Sequence, residues 1–144
     1  LATDGSPNAR AATDRALSLA AEADGSLHVI YVVEFIPAFG RAGAPWLLSQ
    51  GVKREEMLTR GEHVIDVVEM AANERDIPCT STVTSGLPHQ LIVEQAADVD
   101  ADVVVMGKTE RRGMVERFWG STADRVIDRV TAPVLLVGSP DDHR

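Results

Sequence analysis

The sequence predicts one α/β domain in which a parallel sheet is covered by helices on both faces, a doubly wound arrangement. Apolar, β-branched runs alternate with helix-period segments along the whole chain, in the order β-α-β-α-β-α-β-α-β. The runs 27–33 and 102–106 are almost continuously apolar, the pattern of strands buried on both faces. With 144 residues, 44% of them hydrophobic, the chain can close one substantial core but not two. Each right-handed helical crossover returns the next strand in the same direction, so the alternation makes the sheet parallel.

Leu1-Ala2-Thr3 reads as the end of a buried first strand, and because residue 1 already lies inside it, a few further residues are expected ahead of it. Asp4-Gly5-Ser6-Pro7 then supplies a turn, an N-cap serine and a proline at the first helical position. Ala9, Ala12, Ala16, Leu19 and Ala23 recur at steps of three and four, a narrow small-residue face suited to lying close on a sheet, and Asp24-Gly25 ends the helix. After the strand at 27–33, residues 34–50 carry Pro37, Gly40, Gly43 and Pro45 among scattered aromatics and read as a long irregular connection. Met57, Gly61, Val64, Ile65, Val68, Ala71 and Ala72 form the apolar stripe of a second helix, closed by Ile77-Pro78. Cys79 to Ser85 is a short β-branched strand, and Gly86-Leu87-Pro88 leads into a third helix with Ile92, Ala96 and Val99 on its apolar face. Beyond the strand at 102–106 and a glycine-containing loop, Ser121 is expected to open a helix bearing Ala123, Val126, Ile127 and Val130, before Pro133 to Val137 makes the last strand.

A doubly wound sheet takes ligands outside the carboxyl ends of its strands, where the strand order reverses, which directs attention to the loops after Thr3 and Met106. The segment from Met106-Gly107-Lys108 through Glu110-Arg111-Arg112-Gly113 to Gly120-Ser121-Thr122 joins a buried strand to a helix through glycine-bearing backbone. Successive backbone N–H groups in such a loop can cradle phosphate oxygens, and a helix N-terminus adds attraction. The same residues have a plainer use, since Ser121 with Asp124 matches a capping box and glycines punctuate loops. Asp4 could accept hydrogen bonds from an adenine amino group or a ribose hydroxyl, yet Asp-Gly-Ser-Pro is also a good turn without any ligand.

Composition narrows the partners. A net charge of −8 disfavours nucleic acid and anionic membrane, both of which demand a basic face. No stretch approaches the roughly 20 apolar residues that span a bilayer, and the expected compartment is the cytoplasm. The single cysteine, Cys79, forms no intramolecular disulfide and is assigned to core packing. His28, His63, His89 and His143 show no spacing that converges on a metal, and no Gly-x-Ser-x-Gly elbow appears, so neither a metal site nor catalytic residues are assigned.

Taken in order, Thr3-Asp4-Gly5-Ser6, the strand at 27–33, Gly86-Leu87-Pro88, the strand and turn at 101–107, Gly120-Ser121 before Arg125-Val126-Ile127, and Ala132-Pro133-Val134-Leu135 resemble successive blocks of the universal stress protein family. The resemblance spans essentially the whole chain except the connection at 34–50. It implies a stress-response domain with a five-stranded sheet of order 3-2-1-4-5 that binds an adenine nucleotide, whether ATP, ADP or AMP. It also implies a loop pattern of Gly-x-x-Gly, nine residues, then Gly-Ser or Gly-Thr. Gly107, Gly120 and Ser121 fall on matching positions, whereas Glu110 replaces the second glycine. By the same resemblance Asp4 and Val32 would flank the adenine, Ala2 and Gly107 would approach the ribose, and Met106, Gly120, Ser121 and Thr122 would line the phosphates.

Glu110 sets a Cβ and a negative charge where backbone should meet phosphate. Two like charges about 4 Å apart cost on the order of 4 kcal/mol at a surface-like effective dielectric. Nucleotide binding is therefore expected to be weakened, with Lys108, Arg111 and Arg112 or a divalent metal available to offset the repulsion. Three other readings compete. A phosphoacceptor signalling domain would need an aspartate and a lysine where Ser85 and Gly138 stand. An enzyme that turns nucleotide over would be a slow ATPase at most, because no loop residue is an evident base. A nucleotide-free dimeric adaptor, acting on an unidentified protein partner, is made competitive by Glu110. A homodimer through the last strand, 133–137, is expected on the exposed apolar edge and on the resemblance.

Overall fold

The computed structural model describes residues 1–34, 44–108 and 117–139, apart from the side chains of 44–52 and 117–121. Its elements are β1 (Ala2–Thr3), α1 (Pro7–Glu22), β2 (Leu27–Glu34), α2 (Ala44–Glu74), β3 (Cys79–Gly86), α3 (Pro88–Asp98), β4 (Val104–Gly107), α4 (Arg117–Arg129) and β5 (Val134–Val137). The five strands form one parallel sheet of order β3-β2-β1-β4-β5, the doubly wound topology expected from the alternation.

Period-two alternation along the central strands divides the core into two layers. Val29, Tyr31 and Val33 of β2 and Val105 of β4 face α1 and α2, where they meet Ala12, Ala16, Leu17, Ile65, Val68 and Ala72. Ile30 and Val32 of β2, with Val104 and Met106 of β4, face α3 and α4 and meet Ile92, Ala123 and Val126. Leu17, Val29, Met106 and Val126 are under 2% exposed, and burial of each such side chain contributes about 1.5–3 kcal/mol. The three alanines on the sheet side of α1 (Ala9, Ala12, Ala16) let this helix lie close to β1 and β4.

Ser6 caps α1 as expected, its hydroxyl accepting the Ala9 N–H at 3.2 Å with Pro7 in the first turn. The buried position near the helix end is Leu17, while Leu19 is only partly buried and Ala23 is exposed. Three helices end alike. Asp24, Asp76 and Asp100 take positive φ of 50°, 55° and 52°, and the next N–H returns to the last turn, from Gly25 to Ala20, Ile77 to Ala72 and Ala101 to Ala96.

Beyond one-residue shifts at strand ends, the structure differs from the sequence reading at the starts of α2, α4 and β4 and at the end of α3. The irregular connection assigned to 34–50 is helical from Ala44 onward, because Pro45 stands in the first turn of α2, where a proline costs no hydrogen bond. α4 begins at Arg117, so Ser121 lies inside the helix and does not open it, and the capping box with Asp124 is not an N-terminus. β4 begins at Val104, because residues 101–103 are used in leaving the α3 cap, and pairing starts with Val104 N–H to Pro133 C=O. α3 ends at Asp98, which leaves Val99 as its exposed C-cap. Cys79, assigned to the core, is half-buried at the start of β3, where burial and the Glu69 carboxylate push its thiol pKa up. Among the described residues, no helix is long and apolar enough to cross a membrane.

Candidate functional site at the carboxyl edge of the sheet

Strand order reverses between β1 and β4: β1 connects through α1 to β2 on one side, while β4 arrives through α3 on the other. Strand register fixes what meets there. Ala2 is level with Ile30 and with Met106, and Thr3 is level with Tyr31, so Asp4 comes out level with Val32 beside the end of β4. The structure thus brings Ala2, Asp4, Val32, Met106 and Gly107 to one edge. Ala2, Val32 and Met106 are buried at 5%, 6% and 2% exposure and share the α3/α4 layer, so their side chains pack the floor under that edge.

The turn after β1 is held by its own polar groups. Asp4 Oδ1 accepts the Ser6 N–H at 2.9 Å, and Thr3 Oγ1 accepts the Gly5 N–H at 3.2 Å. Among the described residues nothing donates to Asp4 Oδ2, which leaves the half-buried carboxylate able to accept a further donor. Gly5 adopts φ +76°, and a Cβ there would lie 2.9 Å from Val64 Cγ2, so the turn is seated directly against α2. Beneath it, burial raises the Tyr31 hydroxyl pKa, with the Arg60 guanidinium lowering it and the Asp4 carboxylate raising it. These two opposing influences put Tyr31, Asp4 and Arg60 in one electrostatic neighbourhood. Farther along α2, an Arg54 guanidinium nitrogen donates to Ser85 Oγ at 2.6 Å at the end of β3.

On the other side of the crevice, β4 presses against the first turn of α1. A Cβ on Gly107 would lie 2.7 Å from the Asn8 carbonyl carbon and 2.8 Å from the Ala9 nitrogen, both backbone atoms. Contact with α1 is therefore enough to require glycine at 107, before any ligand is considered. Asn8 itself is 3% exposed; its Nδ2 donates to Lys108 C=O and its Oδ1 accepts from Ser139 N–H, each at 2.7 Å.

Of the remaining expected site residues, Thr122 is buried at 6% exposure in α4, while Gly120 and Ser121 lie in the same helix with side chains outside the described residues. Glu110, Arg111 and Arg112 also lie outside the described residues. Asn8, Tyr31 and Arg60 were absent from the sequence reading. Asn8 sits on a helix face that reads as a small-residue stripe, and Tyr31 sits within a strand that reads as plain core, so only the tertiary contacts reveal them. A cavity of about 460 Å³ lies at the opposite, amino edge, lined by Leu1, Ala20, Leu27, His28, Ile92 and Val103. It follows the line of the two-residue β1 between β2 and β4, away from the switch point, and is not the site described above.

Comparison with known proteins gives this geometry a context. The family model described as "Universal stress protein family" matches residues 1–138. Universal stress protein MJ0531 of Methanocaldococcus jannaschii is 34% identical over 139 residues, covering 96% of this chain and 79% of the relative. Among solved structures, hypothetical protein MJ0577 superposes with a TM-score of 0.74 at 18% identity, covering 95% of this chain and 92% of that one. A universal stress protein in complex with cAMP superposes with a TM-score of 0.63 at 24% identity, covering 95% and 93%. A family protein from Arabidopsis thaliana with AMP bound superposes with a TM-score of 0.57 at 18% identity, covering 90% and 80%. The sheet order, the near-complete family match and the relative covered over most of its length agree, and this chain belongs to the universal stress protein family.

Proposed function

We propose that this chain is a stress-response regulatory domain that binds an adenine nucleotide in the crevice between the Asp4 turn and the chain leaving β4. The observation that carries the reading is the meeting of those two segments at the topological switch point, with Asp4 level with Val32 and Ala2 paired with Met106. The cAMP and AMP complexes of the similarly folded proteins support the choice of ligand class.

In this reading Asp4 accepts from the adenine amino group or a ribose hydroxyl through the oxygen its own turn does not use. Val32 flanks the base, and the backbone at Ala2 and Gly107 approaches the ribose. The chain from Met106 onward, with Gly120, Ser121 and Thr122, serves the phosphates. Because α4 starts at Arg117, a hydroxyl of Ser121 would act from within the helix, not from an N-cap. Glu110 weakens binding through charge and loss of glycine, more for ATP than for AMP, and a divalent metal bridging Glu110 to phosphate would restore part of it. The protein carries no assigned catalytic residue; its role is to bind, with slow ATP hydrolysis as the upper limit. We place it in the cytoplasm as a homodimer paired through β5, acting on a protein partner.

The direct test is nucleotide retention. Purified protein is denatured and its supernatant analysed by mass spectrometry, and ATP, ADP and AMP affinities are measured by calorimetry. Retention of an adenine nucleotide, with ATP bound more tightly by Glu110→Gly, is the expected result. Absence of any adenine nucleotide binding favours the nucleotide-free adaptor, and multiple turnovers of labelled ATP favour an enzyme.

A further inference from the structure

Asn8 closes a ring of hydrogen bonds that joins three segments of the chain. Its Nδ2 donates to Lys108 C=O at 2.7 Å, the Lys108 N–H donates to Val137 C=O at 2.7 Å, and the Ser139 N–H returns to Asn8 Oδ1 at 2.7 Å. Both polar groups of Lys108's backbone are therefore held, one by β5 and one by α1. The side chain is almost fully buried, so its amide has no water to fall back on, and both of its bonds span more than 99 residues of sequence. The side-chain chemistry is specific. A primary amide presents a donor and an acceptor side by side; a carboxylate cannot donate to Lys108, an aliphatic side chain can do neither, and the reach is that of Asn. The same contact presses Gly107 against the backbone of Asn8 and Ala9, so the exit of β4 has no slack toward α1.

We propose that Asn8 is the positioning residue of the carboxyl-edge crevice. It fixes where Gly107 and Lys108, at the end of β4, lie relative to the Asp4 turn that leads into the same helix, and so sets the affinity of the crevice for an adenine nucleotide. This rests on the nucleotide reading above. Because the ring passes through Val137 and Ser139, the same residue ties the crevice to the end of β5.

The test pairs calorimetry with ADP and site-resolved amide exchange on wild-type protein, Asn8→Ala and Asn8→Asp, at a temperature where circular dichroism shows each folded. A role confined to stability would not change the affinity of fully folded protein. Asn8→Ala, which removes both bonds, is expected to bind ADP about tenfold more weakly, an effect of the size of a single buried hydrogen bond, and to expose the Ser139 amide to exchange. Asn8→Asp keeps an acceptor for Ser139 but sets an oxygen against Lys108 C=O. It is expected to weaken ADP binding while leaving the Ser139 amide protected. ADP affinity of Asn8→Ala within twofold of wild type overturns the proposal. Should wild-type protein bind none of ADP, AMP and ATP, the nucleotide reading fails on its own. The positioning role is then decided by exchange at Lys108, whose N–H keeps its Val137 partner in Asn8→Ala: exchange at least about tenfold faster there supports it, and unchanged exchange there overturns it.

Discussion

At the scale of single residues, the site is built from groups that serve the protein first. Asp4 holds its own turn through the Ser6 N–H, and Gly107 is a glycine because the α1 backbone leaves no room for a Cβ. Gly107→Ala is therefore expected to destabilise the fold by about 1–3 kcal/mol, the cost of overpacking against atoms that cannot rotate away, read as a lower urea midpoint without any nucleotide present. His89, in the first turn of α3, gives a second expectation. Its burial, followed by the Arg125 and Arg129 guanidiniums of α4, holds its pKa below the ordinary 6.5. An unfolded chain takes up that proton at a higher pH than the folded one, so the stability His89 contributes is complete above about 6.5 and is lost as pH falls toward the lowered value. Urea midpoints should fall between pH 7.5 and 5.5, and His89→Gln should fall less. His28, its pKa lowered by burial, supplies a share of the same slope that this variant retains. The Asp4 turn was legible in the sequence because turn chemistry is local, and Gly107 was legible as a loop glycine, though the α1 contact that requires it was not. Asn8 was not, since its two bonds reach 100 and 131 residues along the chain.

At the scale of elements, α1, α2 and α3 end on one device used three times. Asp24, Asp76 and Asp100 occupy left-handed backbone positions where a Cβ is strained, and each sets a negative charge at the negative end of a helix dipole. Replacing each by glycine removes both penalties against a smaller loss from the freer unfolded chain. Each substitution is expected to stabilise by about 0.5–1 kcal/mol, with near-additivity in the triple variant because the sites share no partner. Thermal melts of the three singles and the triple check this, and a fall in melting temperature would contradict it. The elements themselves were readable from periodicity, but boundaries at 44, 104 and 117 were not. Proline and glycine mark both the inside of a first turn and the end of a loop, and only the position of the neighbouring helix decides which.

At the scale of the whole molecule, β5 is the outer strand next to β4. Pro133 and Val137 carbonyls accept from Val104 and Lys108, so the two-residue repeat of a parallel pair turns the N–H and C=O of Val134 and Leu136 outward. All four β5 side chains are half-buried, which suits an edge that gains a partner. Light scattering is expected to give a dimer mass at micromolar concentration, and Leu136→Pro, which removes one outward donor, a monomer mass; a monomer mass for the unaltered protein would end the proposal. By itself, the sequence determined the layered α/β class, the parallel sheet and the two loops at its switch point, because hydrophobic period and turn chemistry are set within a few residues. Only the tertiary structure decided that Asn8 locks the two strand exits together, that Gly107 is shaped by α1, and that Ser121 lies within a helix. Each of these depends on backbone from a distant segment arriving within hydrogen-bonding or van der Waals distance, which local pattern does not encode.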